Sequence, residues 1–157
     1  MKQALFPGTF DPFTLGHEAI VRRGLALFDR VVIAIGNNST KTNRFTAEER
    51  RLQVQSCFSD DPSVEVCLYE GLTADFANER SIPFLLRGVR TVNDFEYERL
   101  LADANHKIAG LETILLFTEP EYAFIQSSVV RDLLRYGKDV SAFLPATIVE
   151  RLKQINV

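Results

Sequence analysis

Apolar residues along the chain fall into two periods that alternate five times. Short apolar runs at Ala4 to Phe6, Val31 to Ile35, Val64/Val66/Leu68, Pro83 to Leu86 and Thr113 to Phe117 have the length of strands. The β-branched run Val31-Val32-Ile33-Ala34-Ile35 has no polar alternation, as expected of a strand covered on both faces of a parallel sheet. Between these runs, apolar positions recur every three or four residues. Gly16 to Phe28 is predicted helical through Ile20, Val21, Leu25, Leu27 and Phe28, with Glu18, Arg22 and Arg23 left to water. Thr46-Ala47-Glu48-Glu49 is a capping box, in which hydroxyl and carboxylate satisfy reciprocal backbone donors. It starts a helix at about Ala47 that runs to Phe58 and is stopped by Asp60-Asp61-Pro62. Further helices are predicted over Leu72 to Arg80, with Leu72, Phe76 and Ala77 inward, and from Asp94 to about Ala109, with Tyr97, Leu101, Ala104 and Ile108 on one stripe. Ser127 is expected to cap a helix ending near Tyr136-Gly137, and a last helix after Phe143-Leu144-Pro145 carries Ile148, Leu152 and Ile155.

Strands alternating with helices predict an α/β fold, a doubly wound five-stranded parallel sheet, because parallel neighbours need helical crossovers. No repeat, low-complexity tract or linker interrupts the pattern, so residues 1–157 read as one domain. The loops that leave the carboxyl ends of the strands are polar or glycine-rich: Gly8 to His17, Gly36 to Lys41, Gly71 to Thr73, Arg87 to Arg90 and Glu119 to Ser128. In an open parallel sheet that edge is where ligands bind.

Composition narrows the partners. With 46% hydrophobic residues in 157, the chain can bury a full core without metal or disulfide support. A net charge of −3 argues against a general nucleic-acid or membrane-surface binder, which would show a basic face, so any anion site must be built locally. Cys57 and Cys67 have neither CxxC spacing nor a nearby His and read as ordinary thiols; His106 has no motif around it and reads as a surface or interface residue. The N-terminus lacks a basic-then-apolar leader, and no apolar run approaches the roughly 18 residues that span a bilayer. A cytoplasmic location is expected.

Candidate chemistry concentrates in Pro7-Gly8-Thr9-Phe10-Asp11-Pro12-Phe13-Thr14-Leu15-Gly16-His17. A strand that breaks into a Gly/Pro loop and then opens a helix aims free N–H groups and a positive helix end into the loop, the arrangement that holds phosphates. Thr9 and Thr14 add hydroxyls, and His17 falls in the first helical turn, within reach of an anion held there. Arg87 and Arg90, flanking Gly88 and Val89, suit bidentate phosphate contacts with close backbone approach. Ser127 and Ser128 at a helix start offer hydroxyl and N–H donors. Other features have bland readings of equal weight: Lys41 as a solvated loop lysine, and Asp94, Glu96 and Glu98 as the acidic opening of a helix favoured by its dipole. The residues by themselves reach nucleotide-phosphate chemistry at the carboxyl end of a parallel sheet.

Thr14-Leu15-Gly16-His17 resembles the (His/Thr)-x-Gly-His motif of the nucleotidylyltransferase superfamily. With Pro7 to Pro12, Arg87 to Arg90, Asp94-Phe95-Glu96-Tyr97-Glu98 and Ile125-Gln126-Ser127-Ser128, the chain resembles the phosphopantetheine adenylyltransferase family over nearly its whole length. The resemblance implies a Rossmann-like sheet of order 3-2-1-4-5 with C-terminal helices. It also implies reversible transfer of the adenylyl group of ATP to 4′-phosphopantetheine, giving dephospho-CoA and pyrophosphate in coenzyme A biosynthesis. Mg²⁺ carried by ATP with no protein metal ligand, CoA as a feedback ligand, and a homohexamer follow from it too. His17 would stabilise charge at the α-phosphate in the transition state. No general base is needed, since a phosphate monoester is already ionised at neutral pH. The implied acceptor-binding residues are Thr9, Lys41, Thr73 with neighbouring Leu72, and Arg87. The implied ATP-binding residues are Thr9, Phe10, His17, Gly88, Val89, Arg90, Glu98, Tyr122, Ala123, Phe124, Ile125, Gln126, Ser127 and Ser128. Gln126 departs from the family, which often has Ser there. Two rival readings remain. A sister nucleotidylyltransferase acting on nicotinate mononucleotide or a sugar or glycerol phosphate would lack the Arg87 to Glu98 pattern. A non-catalytic ATP-binding module would need no Thr14-Leu15-Gly16-His17.

Overall fold

The computed structural model describes residues 1–155. Five strands, β1 (Gln3–Gly8), β2 (Arg30–Gly36), β3 (Val64–Tyr69), β4 (Phe84–Val89) and β5 (Glu112–Phe117), form one sheet of order β3-β2-β1-β4-β5, and every neighbouring pair is parallel. The helices are α1 (Leu15–Gly24), α2 (Ala47–Cys57), α3 (Thr73–Glu79), α4 (Val92–Ala109), α5 (Ser127–Arg135) and α6 (Ala146–Ile155). The doubly wound Rossmann-like fold and its strand order are as expected.

Strand periodicity sorts the core into two layers. Along β1 and β2, Ala4, Phe6, Val31, Ile33 and Ile35 point to one face, where Ile20 and Val21 of α1, Val54 of α2, Val130 of α5 and Ile148 of α6 cover them. Leu5, Val32 and Ala34 point to the other, against Ala74 and Ala77 of α3 together with Ile82, Leu85 and Leu111. The connection leaving β1 therefore packs its helix on one face, and the connection leaving β4 feeds α4 on the other. Strands β1 and β4 are neighbours, so a crevice opens at their carboxyl ends.

Several boundaries differ from expectation, each for a local reason. Helix α1 ends at Gly24, not Phe28: Leu27 and Phe28 donate to the Gly24 carbonyl in tight turns, and Leu27 is exposed. A Cβ on Gly24 would lie 2.5 Å from Leu86 Cδ2, so the close approach of helix and sheet fixes a glycine where the helix stops. Helix α4 starts earlier, with Thr91 as N-cap accepting from the Asp94 N–H. Its stripe of Tyr97, Leu101, Ala104 and Ile108 does not cover this chain's core; those residues are exposed and Glu98 is the buried residue of the helix. Leu72 is an exposed N-cap of α3 whereas Ala74 and Ala77 face inward, and Ile155 is exposed while Ile148 and Leu152 are buried. Gln126, not Ser127, is the N-cap of α5. Arg87, Gly88 and Val89 belong to β4, paired with Leu115, Leu116 and Phe117, and are not a connecting loop.

Candidate active site

The crevice is divided into two chambers that share a wall of Pro7, Gly8, Thr9, Arg87 and Glu98. One, of about 380 Å³, lies over the start of α1; the other, of about 650 Å³, lies between the loop after β2, the start of α3 and the side of α4.

The smaller chamber is built on the loop between β1 and α1. Gly8 ends the strand, and Phe10 turns the chain with a φ of 51°, in the left-handed region. The turn folds the Phe10 ring back over Gly8 so closely that a Cβ there would lie 2.7 Å from Cζ. Phe10 packs edge-on to His17 at 5.0 Å, and Phe13 lies 5.4 Å from the same ring. The histidine is thus set in an aromatic collar.

Its hydrogen bonds fix its tautomer. Thr14 caps α1 with a capping box in which His17 takes the place normally held by Glu: the Thr14 hydroxyl accepts from His17 N–H, and the Thr14 N–H donates to His17 Nδ1 at 3.0 Å. Because Nδ1 accepts, the proton of the neutral ring sits on Nε2. The ring is neutral at physiological pH. Loss of water around it, followed by the positive charges of Arg90 and Arg87, pushes its pKa down to about 3. Among the described residues its Nε2–H has no partner, and such a neutral imidazole is a hydrogen-bond donor and a poor base.

Cations and donors surround that point. Arg90 is held by Asp94 and by the Ile125 carbonyl at 2.9 Å, which ties the end of β4 to the segment leading into α5. The Ser127 hydroxyl donates to the Pro12 carbonyl and Arg131 donates to the Asp11 carbonyl, docking the N-terminus of α5 onto the β1–α1 loop. Gly88 lets α1 approach β4, since a Cβ there would lie 2.9 Å from Ile20 Cγ1. A chamber with a helix N-terminus on two sides, three arginines and a neutral His donor favours a polyanion despite the negative charge of the chain.

In the larger chamber, exposed Lys41 stands on the loop after β2, and Thr73 is held by Tyr69, with 2.8 Å between the hydroxyls. Leu85, Leu101 and Ala102 give the same chamber apolar lining, and Asn105 and Thr113 add polar groups to it. A chamber with a lysine and an arginine beside apolar side chains suits a phosphorylated molecule with an uncharged arm.

Of the residues singled out in the sequence, Thr9, Lys41, Leu72, Thr73 and Arg87 line the larger chamber. Thr9, Phe10, His17, Gly88, Arg90, Glu98, Tyr122, Ile125, Gln126, Ser127 and Ser128 line the smaller one. Val89, Ala123 and Phe124 do not form its walls: Val89 is buried in the sheet, Ala123 caps a 3-10 turn, and the exposed Phe124 ring packs edge-on to Phe143. Sequence reasoning missed Asp11, Arg50 and Arg131. Arg50 carried a readable sign, a charge in line with Val54 and Cys57 on the buried face of α2. Cys57 and Cys67 are free and partly buried, and burial raises the Cys57 thiol to about 11, so neither is a reactive group at this site.

The family model of cytidylyltransferase-like proteins matches residues 5–133. The chain belongs to that family of nucleotidyltransferases. Its curated relatives make the assignment narrower. It is 54% identical to the phosphopantetheine adenylyltransferase of Phocaeicola vulgatus, over 92% of this chain and 96% of the relative. It is 50% identical to that of Bacteroides thetaiotaomicron over the same shares, and 47% identical to that of Flavobacterium johnsoniae over 94% and 97%. Within the cytidylyltransferase-like proteins, the chain belongs to the phosphopantetheine adenylyltransferases.

Proposed function

We propose that the protein transfers the adenylyl group of ATP to 4′-phosphopantetheine, releasing pyrophosphate and forming dephospho-CoA, by direct in-line attack of the acceptor's phosphate on the α-phosphate. The observation that carries this reading is the shared wall. A polyanion chamber holding His17 and a chamber rimmed by Lys41 meet at Thr9 and Arg87, so two phosphorylated ligands would face each other there. ATP occupies the smaller chamber, its α-phosphate at His17 and its β- and γ-phosphates toward Arg90, Ser127, Ser128 and the N-terminus of α5. The acceptor occupies the larger one, its phosphate between Lys41, Arg87 and Thr9 and its arm along Leu72, Thr73 and the wall of α4.

The residues then act by alignment and charge. The acceptor's phosphate is its own ionised nucleophile, so the protein holds it in line and compensates charge on the transferred group. His17 Nε2–H donates a hydrogen bond that strengthens as that charge develops. The carboxylates of the chamber walls are engaged, Glu98 with Arg87, Asp94 with Arg90 and Asp11 with the Arg44 and Phe45 N–H groups, beside arginines and hydroxyls. That donor set fits Mg²⁺ arriving on the triphosphate oxygens, where it would neutralise the pyrophosphate leaving group.

The working form of the enzyme is a homohexamer in the cytoplasm, and CoA, which shares the product's chemistry, would compete for the same crevice as a feedback ligand. The assembly is supported by the uncovered apolar face of α4, where Tyr97, Leu100 and Ile108 are all more than 60% exposed. Among the described residues, no helix is long and apolar enough to cross a membrane.

Purified protein with Mg²⁺ and ATP should release pyrophosphate when given 4′-phosphopantetheine and not when given nicotinate mononucleotide. Equal or greater turnover with nicotinate mononucleotide would overturn the acceptor, and ATP binding with no pyrophosphate from either would leave a binding module.

A further inference from the structure

Among the described residues, Arg50 of α2 is the largest fully buried side chain, 1% exposed, and the proposed chemistry does not use it. All three of its hydrogen bonds go to main-chain carbonyls. Nη1 donates to Thr9 at 2.6 Å and to Gly36 at 2.9 Å, and Nε donates to Phe45 at 3.2 Å. These carbonyls come from three segments: the β1–α1 loop, the end of β2, and the residue before the cap of α2. Gly36 and Phe45 bracket the loop that carries Lys41.

Asp11 closes the same staple from the other side. Its carboxylate accepts from Arg44 N–H at 2.8 Å and from Phe45 N–H at 3.0 Å, while its own carbonyl accepts from Arg131. Both ends of the Lys41 loop are thereby fixed to the loop that carries Thr9. Between them, among the described residues, Thr40 and Lys41 bond only to Asn38 within the loop. A buried guanidinium is expensive to desolvate, and apolar side chains of similar volume could fill the same space. What they could not do is reach three carbonyls at fixed angles, which is the property of a planar five-donor fork.

We propose that Arg50 is a positioning residue for the transfer step: it sets the base of the Lys41 loop against the β1–α1 loop, so that the acceptor's phosphate lies in line with the α-phosphate held at His17. This rests on the adenylyl-transfer reading above and names a residue through which that site is aligned. The effect runs chiefly through Lys41, which touches the acceptor: apart from Thr9 and Phe10 on the β1–α1 loop, the ATP contacts lie on α1, β4 and the segment that opens α5, which Arg50 does not touch.

The test is a double-mutant cycle on the full-length protein with ATP and 4′-phosphopantetheine. Arg50→Lys keeps the charge but gives one donor head in place of the fork, and a misplacement near 1 Å should lower kcat on the order of 10- to 100-fold while the KM for ATP stays within about threefold. In that background Lys41→Ala should cost little more, whereas Ser128→Ala should cost as much as it does in the wild type. Asp11→Asn, which disturbs the same staple from its other side, should show the same coupling to Lys41 and serves if Arg50→Lys folds poorly. If Lys41→Ala costs as much in either variant as in the wild type, or if Arg50→Lys lowers only the melting temperature and leaves kcat intact, the proposal is wrong. A wild type that releases no pyrophosphate with 4′-phosphopantetheine overturns the reading on which it rests, and the proposal with it.

Discussion

Arg87 and Glu98 are paired fork to fork across the boundary between the two chambers. Nε and Nη2 of Arg87 donate to the two carboxylate oxygens at 2.9 and 2.6 Å, and Nη1 donates to the Pro7 carbonyl at 2.6 Å. With three of five N–H groups so engaged, two remain, at fixed angles, for a ligand phosphate. Glu98 is the more buried of the two, its side chain 8% exposed against 27% for Arg87. Its structural work is therefore to hold Arg87 still.

That arrangement predicts the effect of Glu98→Ala. Arg87 would be left partly buried without its counter-ion, at a cost of roughly 2–3 kcal/mol, below the full cost of breaking a buried pair because Arg87 keeps some contact with water. Denaturant unfolding should record that loss. The same variant should lower kcat/KM for the acceptor by an order of magnitude or so, since a mobile guanidinium aligns a phosphate poorly.

Gly8→Ala should act on His17 without touching it. The added methyl would lie 2.7 to 3.0 Å from three ring atoms of Phe10, which is 4% exposed and packed between Phe6, Phe13 and His17. Overpacking of this kind costs about 1–3 kcal/mol. The displaced ring would shift or rehydrate the imidazole, so kcat should fall together with stability and the His17 pKa should rise toward its ordinary value, as seen by NMR titration.

The pH dependence follows from the direction of that shift. Between the ordinary value of 6.5 and the folded-state value of about 3, the unfolded chain binds a proton on His17 that the folded chain does not. Acid therefore destabilises the fold through this residue, by at most about 1.4 kcal/mol per pH unit, and adds nothing further once both states are protonated. His17→Asn removes this contribution, so its stability relative to the wild type should improve as pH falls from about 7 to about 5. Any acid limb of the rate near pH 6 belongs to the second ionisation of the acceptor's phosphate and should survive in His17→Asn.

The proposed homohexamer would cover the apolar face of α4. Leu100 and Ile108 lie eight residues apart on this helix, away from the chamber walls, and are 69% and 62% exposed. Light scattering at micromolar concentration should report six times the chain mass of 17.8 kDa. Leu100→Asp with Ile108→Asp should reduce it to smaller species, and a wild-type monomer would remove the claim.

Much of this architecture was legible because it rests on local physics. The unbroken apolar run of β2, the capping box at Thr46 and the strand-loop-helix passage into His17 each specify one conformation. Their outcomes match, the Thr46 box down to its reciprocal bonds. Legibility failed where a residue's partner is remote in sequence. The α4 stripe reads as a core face because periodicity reports which residues seek cover, not what covers them. Glu98 reads as a dipole-favoured acid because Arg87, its partner, approaches from β4. Ser127 reads as a cap, but its hydroxyl is drawn to the Pro12 carbonyl, and Gln126 takes the cap position without a side-chain bond. Arg50 lay in a pattern that marks it as buried, yet nothing local shows that the carbonyls of Thr9 and Gly36 receive it.

The most direct test of the central claim is single-turnover kinetics of His17→Ala and His17→Asn beside the wild type, with binding of ATP and 4′-phosphopantetheine measured separately. A donor that acts mainly in the transition state contributes about 10²–10³ in rate, or roughly 3–4 kcal/mol. His17→Ala should lose that much in rate with both substrates bound almost as tightly, and His17→Asn, whose amide can donate but cannot serve as a base, should recover part of it. A His17→Ala enzyme with near-normal rate and a large loss of ATP affinity would contradict that claim.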